Sequence, residues 1–247
     1  MNFTDNTYRR ATETEVFDLF CLPYAGGHKY SYRGYQDVMP SFIHMQTVEY
    51  PGRVGRMKEA PLSDIHDLVN EAYQQITPHI KSHDYAIYGH SMGGLMAYLL
   101  THKLIANGFK KPVHLFITGT SGPSAMSRFD KIRHKLPHDE FIAEMKILDG
   151  IPEEILSNPE LLGFFEPILR ADFQACETYK YVPVEPLDIP ITVITGSEED
   201  MKTEDIRLWQ TETTAPTKFV QLPGKHFFIH KYPFEIVQII AKTLKLK

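Results

Sequence analysis

Apolar residues in this chain fall into short runs separated by amphipathic stretches, so that a period of two and a period near 3.6 alternate along it. The runs at 16–22, 45–49, 85–88, 113–118, 191–195 and 218–222 have the length and the β-branched or aromatic content of strands. Between them, 62–80, 95–106 and 205–212 carry helical spacing, and 235–244 closes the chain as a last helix. Strands alternating with helices predict an α/β architecture: a mostly parallel central sheet flanked by helices. One segment breaks the alternation. From 121 to 190 the pattern is helical, with prolines and no strand signal. Helices are expected over 136–148, 153–156 and 159–181, separated by Gly150-Ile151-Pro152 and Asn158-Pro159. An insertion of that length between two strands predicts a lid over a site. No repeat or linker interrupts the pattern, so residues 1–247 are expected to form a single domain, with its lid at about 121–190.

Composition narrows the partners. A chain of 247 residues, 43% of them hydrophobic, can bury a large core. Its net charge of −5 argues against nucleic acid or an anionic membrane as main partner. No apolar run reaches membrane-spanning length. The polar opening, Met1 to Glu15, has no apolar core of a secretory signal, so a cytoplasmic location is expected. Of the two cysteines, Cys21 lies in an apolar run and reads as core, and no disulfide is expected with Cys176.

The chemistry is concentrated at Gly89-His90-Ser91-Met92-Gly93, which follows a strand and opens a helix. That context fits the G-x-S-x-G nucleophile elbow, a sharp turn that exposes one serine. A serine hydroxyl needs a base, and the base needs an acid to hold it. In folds with this elbow the order is Ser, then Asp or Glu, then His. Among twelve histidines, His226 lies in the loop directly after the last strand and its Pro223-Gly224 turn, so it is the expected base. His90 is expected to pack within the elbow, and His230 to lie too far round the turn. His79, His83, His102, His134 and His138 read as solvated surface. The loop after the strand at 113–118 offers no carboxylate before Asp130, which moves the acid to Gly196-Ser197-Glu198-Glu199-Asp200. Asp200 is the expected acid and Glu199 its alternative.

Oxyanion stabilisation requires two backbone N–H groups aimed at the developing charge. Met92, directly after the serine, is expected to supply one. The second is expected from Leu22-Pro23-Tyr24-Ala25-Gly26-Gly27, with Ala25 as donor and Tyr24 as alternative. The glycines do not form a phosphate loop, since neither G-x-x-x-x-G-K-[ST] nor G-x-G-x-x-G is present.

Taken together, these motifs resemble those of the type II thioesterases of nonribosomal peptide and polyketide synthesis, nearly end to end. The resemblance rests on Leu22-Pro23-Tyr24-Ala25-Gly26-Gly27, Tyr50-Pro51-Gly52-Arg53 with Arg56, and Gly89-His90-Ser91-Met92-Gly93-Gly94. It extends to Leu169-Arg170-Ala171-Asp172-Phe173 and Gly224-Lys225-His226-Phe227-Phe228. It implies an α/β-hydrolase fold with a helical lid, and hydrolysis of acyl groups from the phosphopantetheine arm of acyl or peptidyl carrier proteins. It maps the nucleophile onto Ser91 and the base onto His226. The family places its Asp three residues after the glycine that ends the strand, and that position here is Glu199; Asp200 fits only with a one-residue insertion. Arg53 and Arg170 match family positions and are read as loop or lid salt bridges.

The implied reaction needs no metal or organic cofactor, and a monomer is expected. Phe164, Phe165, Leu169 and Phe173 are candidates to shape an acyl chamber. Arg128, Lys131, Arg133, His134 and Lys135 are the candidate docking patch for an acidic carrier. The alternatives are a serine acyltransferase, a medium-chain fatty acyl carrier-protein thioesterase and a non-catalytic carrier-binding relative.

Overall fold

The computed structural model describes residues 15–81, 83–148, 150 and 153–246. The polar opening up to residue 14, and Ile151 and Pro152 of the expected break, lie outside the described residues. Six strands form one sheet in the order β2-β1-β3-β4-β5-β6, and every neighbouring pair is parallel. They are β1 (Phe17–Leu22), β2 (Ile43–Thr47), β3 (Asp84–His90), β4 (His114–Thr118), β5 (Ile191–Gly196) and β6 (Thr217–Leu222). Strands β1, β4 and β5 are buried along their whole length, whereas the edge strands β2 and β6 are partly open. That difference is why the inner runs read as continuously apolar.

The pleat sorts side chains to two cores. Phe20, Leu22, Tyr85, Ile87, Leu115 and Ile117 point to one face, where α2 (Ile65–Ile76) and α3 (Met92–Ala106) cover them. Asp64 caps α2 by accepting from the His66 and Asp67 amides. Leu19, Cys21, Ala86, Tyr88 and Phe116 point to the other face, under α8 (Pro233–Lys245) and Tyr35 of the short α1 (Arg33–Gln36). Both thiols are free, and Cys21 is a buried core residue as expected.

Between β4 and β5 the chain forms α4 (His138–Leu148), α5 (Glu153–Leu156) and α6 (Pro159–Glu177). Asn158 accepts from the Glu160 and Leu161 amides and Pro159 takes the first helical turn, so the Asn-Pro pair starts α6. These helices have their own small core of Phe141, Met145 and Leu169, with Phe165 and Phe173 packed on it. Two helical expectations are adjusted. Helix α6 ends at Glu177, and 205–212 is split between α7 (Thr203–Arg207) and a 3-10 turn at Leu208–Glu212. No described helix is long and apolar enough to cross a membrane. Because all strands run the same way, the loops after β1, β3, β5 and β6 emerge at one edge, and the lid helices cover that edge.

Candidate active site

Ser91 sits between β3 and α3 with φ 54° and ψ −115°, a backbone conformation that non-glycine residues seldom adopt. Neighbouring elements impose it. The Ser91 N–H donates to Thr118 O at 2.8 Å, and the Ser91 carbonyl accepts the Gly94 and Leu95 amides at the head of α3. A Cβ on Gly89 would collide with the Gly93 carbonyl, and one on Gly93 with the Leu22 carbonyl. Both glycines are required because the elbow turns back onto β1 without room for side chains.

His226 follows β6 and lines the same cavity as Ser91. Its Nδ1 lies 2.7 Å from Glu199 Oε1, and Glu199 Oε2 accepts the Gly196 amide at 2.6 Å. The Glu199 side chain is only 3% exposed, so both carboxylate oxygens are used and little water reaches them. This corrects the expected acid: the carboxylate facing His226 belongs to Glu199, and Asp200 is exposed. The reason is the tightness of the turn. Ser197 N–H donates to Leu222 O and Glu198 N–H to Gly224 O as soon as β5 ends. The third residue after Gly196 therefore turns inward without any insertion, and the next one turns out.

Around the imidazole lies an aromatic box. His90 is fully buried, stacks at a tilt 4.8 Å from His226 and shares a hydrogen bond of 2.9 Å between its Nδ1 and Thr118 Oγ1. Burial, and next the charges of His226 and His230, hold His90 well below the usual histidine value, so it is neutral. Tyr24 packs edge-on to His90 and Phe227 and shares a 3.2 Å hydrogen bond with His230 Nε2. His230 is thus engaged with Tyr24.

In the turn after β1, the Gly26 amide donates to Asp172 and the Gly27 amide to Tyr24 O. Ala25 lines the cavity beside Ser91 and His226. Met92 begins α3, whose N-terminal end carries the positive end of the helix dipole toward the serine turn. The cavity has a volume of about 490 Å³ and is partly open to solvent. Met145, Leu148, Leu169 and Phe173 give it an apolar side. Of the candidate chamber residues, Leu169 and Phe173 line it, Phe165 packs in the lid core, and Phe164 is 42% exposed.

The basic stretch at the lid's entry is largely consumed internally. Lys131 and Arg133 pair with Glu144, Arg133 and His134 pair with Glu177, and Arg128 donates to Thr120 and to the Gly122 and Ser121 carbonyls. Only Lys135 of the five is an exposed side chain outside these pairs. His134 is therefore a lid fastener, not a solvated side chain, and His102 is half-buried against Tyr98 with its pKa lowered by burial. Arg53 and Arg170 form the expected salt bridges, with Asp172 and Glu166. Among the described residues, Asp18, His44 and His83 form a group that could hold a metal ion. It sits where β1, β2 and β3 begin, with both imidazoles half exposed, at the end of the sheet opposite Ser91.

Comparison with known proteins agrees with this geometry. The thioesterase domain family matches residues 17–244. The gramicidin S biosynthesis protein GrsT of Aneurinibacillus migulanus is 33% identical over 229 residues, covering 92% of this chain and 89% of GrsT. The medium-chain S-acyl fatty acid synthase thioesterase of Rattus norvegicus is 30% identical, covering 94% of this chain and 89% of that protein. ClbQ of the colibactin NRPS/PKS pathway superposes with a TM-score of 0.88 at 31% identity, covering 94% of this chain and 98% of ClbQ. The resemblance to type II thioesterases, and with it the α/β-hydrolase fold, is thereby shown.

Proposed function

The chain belongs to the thioesterase family and is a hydrolase acting on thioesters, and on that premise we propose that Ser91, His226 and Glu199 are its catalytic triad. The substrate we assign is an acyl group on the phosphopantetheine arm of a carrier protein in nonribosomal peptide or polyketide synthesis. The observation that carries this reading is the pairing of a strained elbow serine with a histidine whose Nδ1 is held by a buried carboxylate, on one cavity.

The chemistry follows from that arrangement. With Nδ1 bonded to Glu199, the imidazole carries its proton there and offers Nε2 as base. His226 takes the Ser91 proton as the hydroxyl attacks the thioester carbonyl, and the Met92 and Ala25 amides hold the oxyanion. The pantetheine thiol leaves with the proton. His226 then activates water, which releases the acid and restores Ser91. Glu199 holds the ring's tautomer and steadies the imidazolium, a role a glutamate fills as well as an aspartate. The steps transfer only protons and an acyl group, so the triad needs no cofactor.

The domain is read as one unit whose residues 121–190 form the lid, acting as a monomer in the cytoplasm. The match to the rat enzyme favours one second reading, a medium-chain fatty acyl thioesterase. Acyl-pantetheine and acyl-carrier thioesters of graded chain length separate the two. Editing predicts turnover of short acyl and aminoacyl groups on carriers. A rate confined to medium chains would support the second reading, and no hydrolysis of any thioester would refute both. Product mass spectrometry with an added alcohol or amine tests for acyl transfer in place of hydrolysis.

A further inference from the structure

Three stretches that carry the family resemblance, far apart in sequence, converge on one buried carboxylate. Asp172 lies on lid helix α6 and is fully buried. Its Oδ2 accepts the Gly26 amide at 2.7 Å and also an Arg53 guanidinium N–H. Arg53 is 3% exposed, donates from Nη1 to Pro51 O at 2.8 Å and lies over the Tyr50 ring at 5.1 Å. One turn earlier on α6, Leu169 presses on Gly26: a Cβ there would meet Leu169 Cδ2 at 2.6 Å, and Gly26 has φ +76°. Gly26 adjoins Ala25, and Leu169 lines the cavity. The turn that faces the substrate carbonyl is thus tied to the lid by a charge-assisted hydrogen bond and a side-chain contact.

We propose that Asp172 is a positioning residue: through the Gly26 amide it sets the Tyr24–Gly27 turn so that Ala25 N–H meets the oxyanion, and it makes that geometry depend on α6 being seated. This rests on the function proposed above. Without an anchor, a turn of this kind has amides free to rotate toward water, and a donor displaced from the oxyanion loses most of its effect. Asp172 removes one amide from that choice; burial raises its carboxyl pKa, and Arg53 and then the Gly26 amide oppose that rise. Lifting α6 would break the bond to Gly26, so an open lid would carry a poorly formed oxyanion site.

Removing Asp172 alone would strand the Arg53 charge, so the test compares two double variants without either charge. R53M/D172N keeps an oxygen to accept the Gly26 N–H; R53M/D172L does not. The prediction is that the leucine variant loses about 100-fold in kcat on an acyl-pantetheine thioester with KM little changed. An alkylthio trifluoromethyl ketone, which adds to the serine as a tetrahedral oxyanion, should weaken by a similar factor. The asparagine variant should recover at least tenfold of both, with thermal midpoints of the two variants alike. Asp172→Glu keeps charge and pairing but shifts the acceptor by a methylene, and should lose about tenfold in kcat and in inhibitor affinity. Leucine and asparagine variants equal in both readouts, or Asp172→Glu matching the wild type in both, would overturn the proposal. Ser91→Ala serves as the separating control. If it kept turnover, the proposed function itself would fall; if it were inactive while R53M/D172L worked normally, only the role of Asp172 would.

Discussion

The two walls of the cavity are built on different principles. On the sheet wall, Ser91, Glu199 and His226 stand on turns closed by backbone hydrogen bonds: Ser91 to Thr118, Ser197 to Leu222, Glu198 to Gly224. On the lid wall, the short entry turns and helices are fastened by side chains: the ion pairs of Lys131 and Arg133 with Glu144 and of Arg170 with Glu166, and the hydrogen bond between His134 and Glu177. Backbone closure fixes reacting groups to small tolerances and is indifferent to salt. Partly exposed ion pairs are each worth little and are screened. With the triad proposed above, the sheet wall sets the chemistry, and the lid wall sets access to it except where Asp172 reaches the turn after β1.

The largest effects should come from breaking the sheet wall. Ser91→Ala and His226→Ala should each lower thioester hydrolysis by about 10⁴-fold or more, and the double variant should be little worse, because the groups act as a unit. Thiol release, followed continuously, measures this. Most of the turnover surviving in His226→Ala would remove the chemistry from this wall.

An intermediate effect should appear in the pH dependence of stability. The folded chain keeps His90 neutral where an unfolded histidine, with its pKa of about 6.5, binds a proton. The depressed value therefore contributes stability that is present above about pH 6.5 and lost as pH falls below it, by up to about 1.4 kcal/mol per pH unit for one proton. His90→Asn removes that contribution, so the stability gap between wild type and variant should narrow from pH 7.5 to pH 5. A gap that widens in acid would show that His90 is not held neutral.

The smallest effect belongs to the lid wall. Reversing Lys131, Arg133 and Lys135 to glutamate breaks the Glu144 pairs, each worth about 1 kcal/mol at most. Turnover of carrier-bound and of small acyl-pantetheine substrates should fall alike, by no more than about tenfold. A loss confined to the carrier-bound substrate, and fading with salt, would return this stretch to the role of docking patch.

The same contrast explains what could be read in advance. The sheet wall is local in sequence: a strand, two glycines and a serine specify the elbow, and a turn after the last strand locates His226. The inner strands were legible because burial on both faces leaves an unbroken apolar run. What local pattern could not resolve was which of Glu198, Glu199 and Asp200 faces inward. That depends on the bonds from Ser197 and Glu198 to the β6 side, more than twenty residues away. The lid wall is less local: apart from the Arg170–Glu166 pair within α6, its fastenings join separate elements. The basic residues at its entry form a patch in sequence, yet their partners Glu144 and Glu177 lie on α4 and α6. His134 read as surface for the same reason: its partner Glu177 comes from elsewhere in the chain. Asp172 carried a motif but no assignable role until Gly26 and Arg53 were seen to meet it.

The central claim is that the sheet wall is a complete triad running through Glu199. It is tested most directly by comparing Glu199→Gln with Asp200→Asn in kcat/KM for one acyl-pantetheine thioester. Losing the carboxylate that fixes the imidazole tautomer should cost about 10³- to 10⁴-fold in Glu199→Gln. Asp200→Asn, which alters only an exposed side chain, should stay within about twofold of the wild type. The reverse ranking would contradict the account.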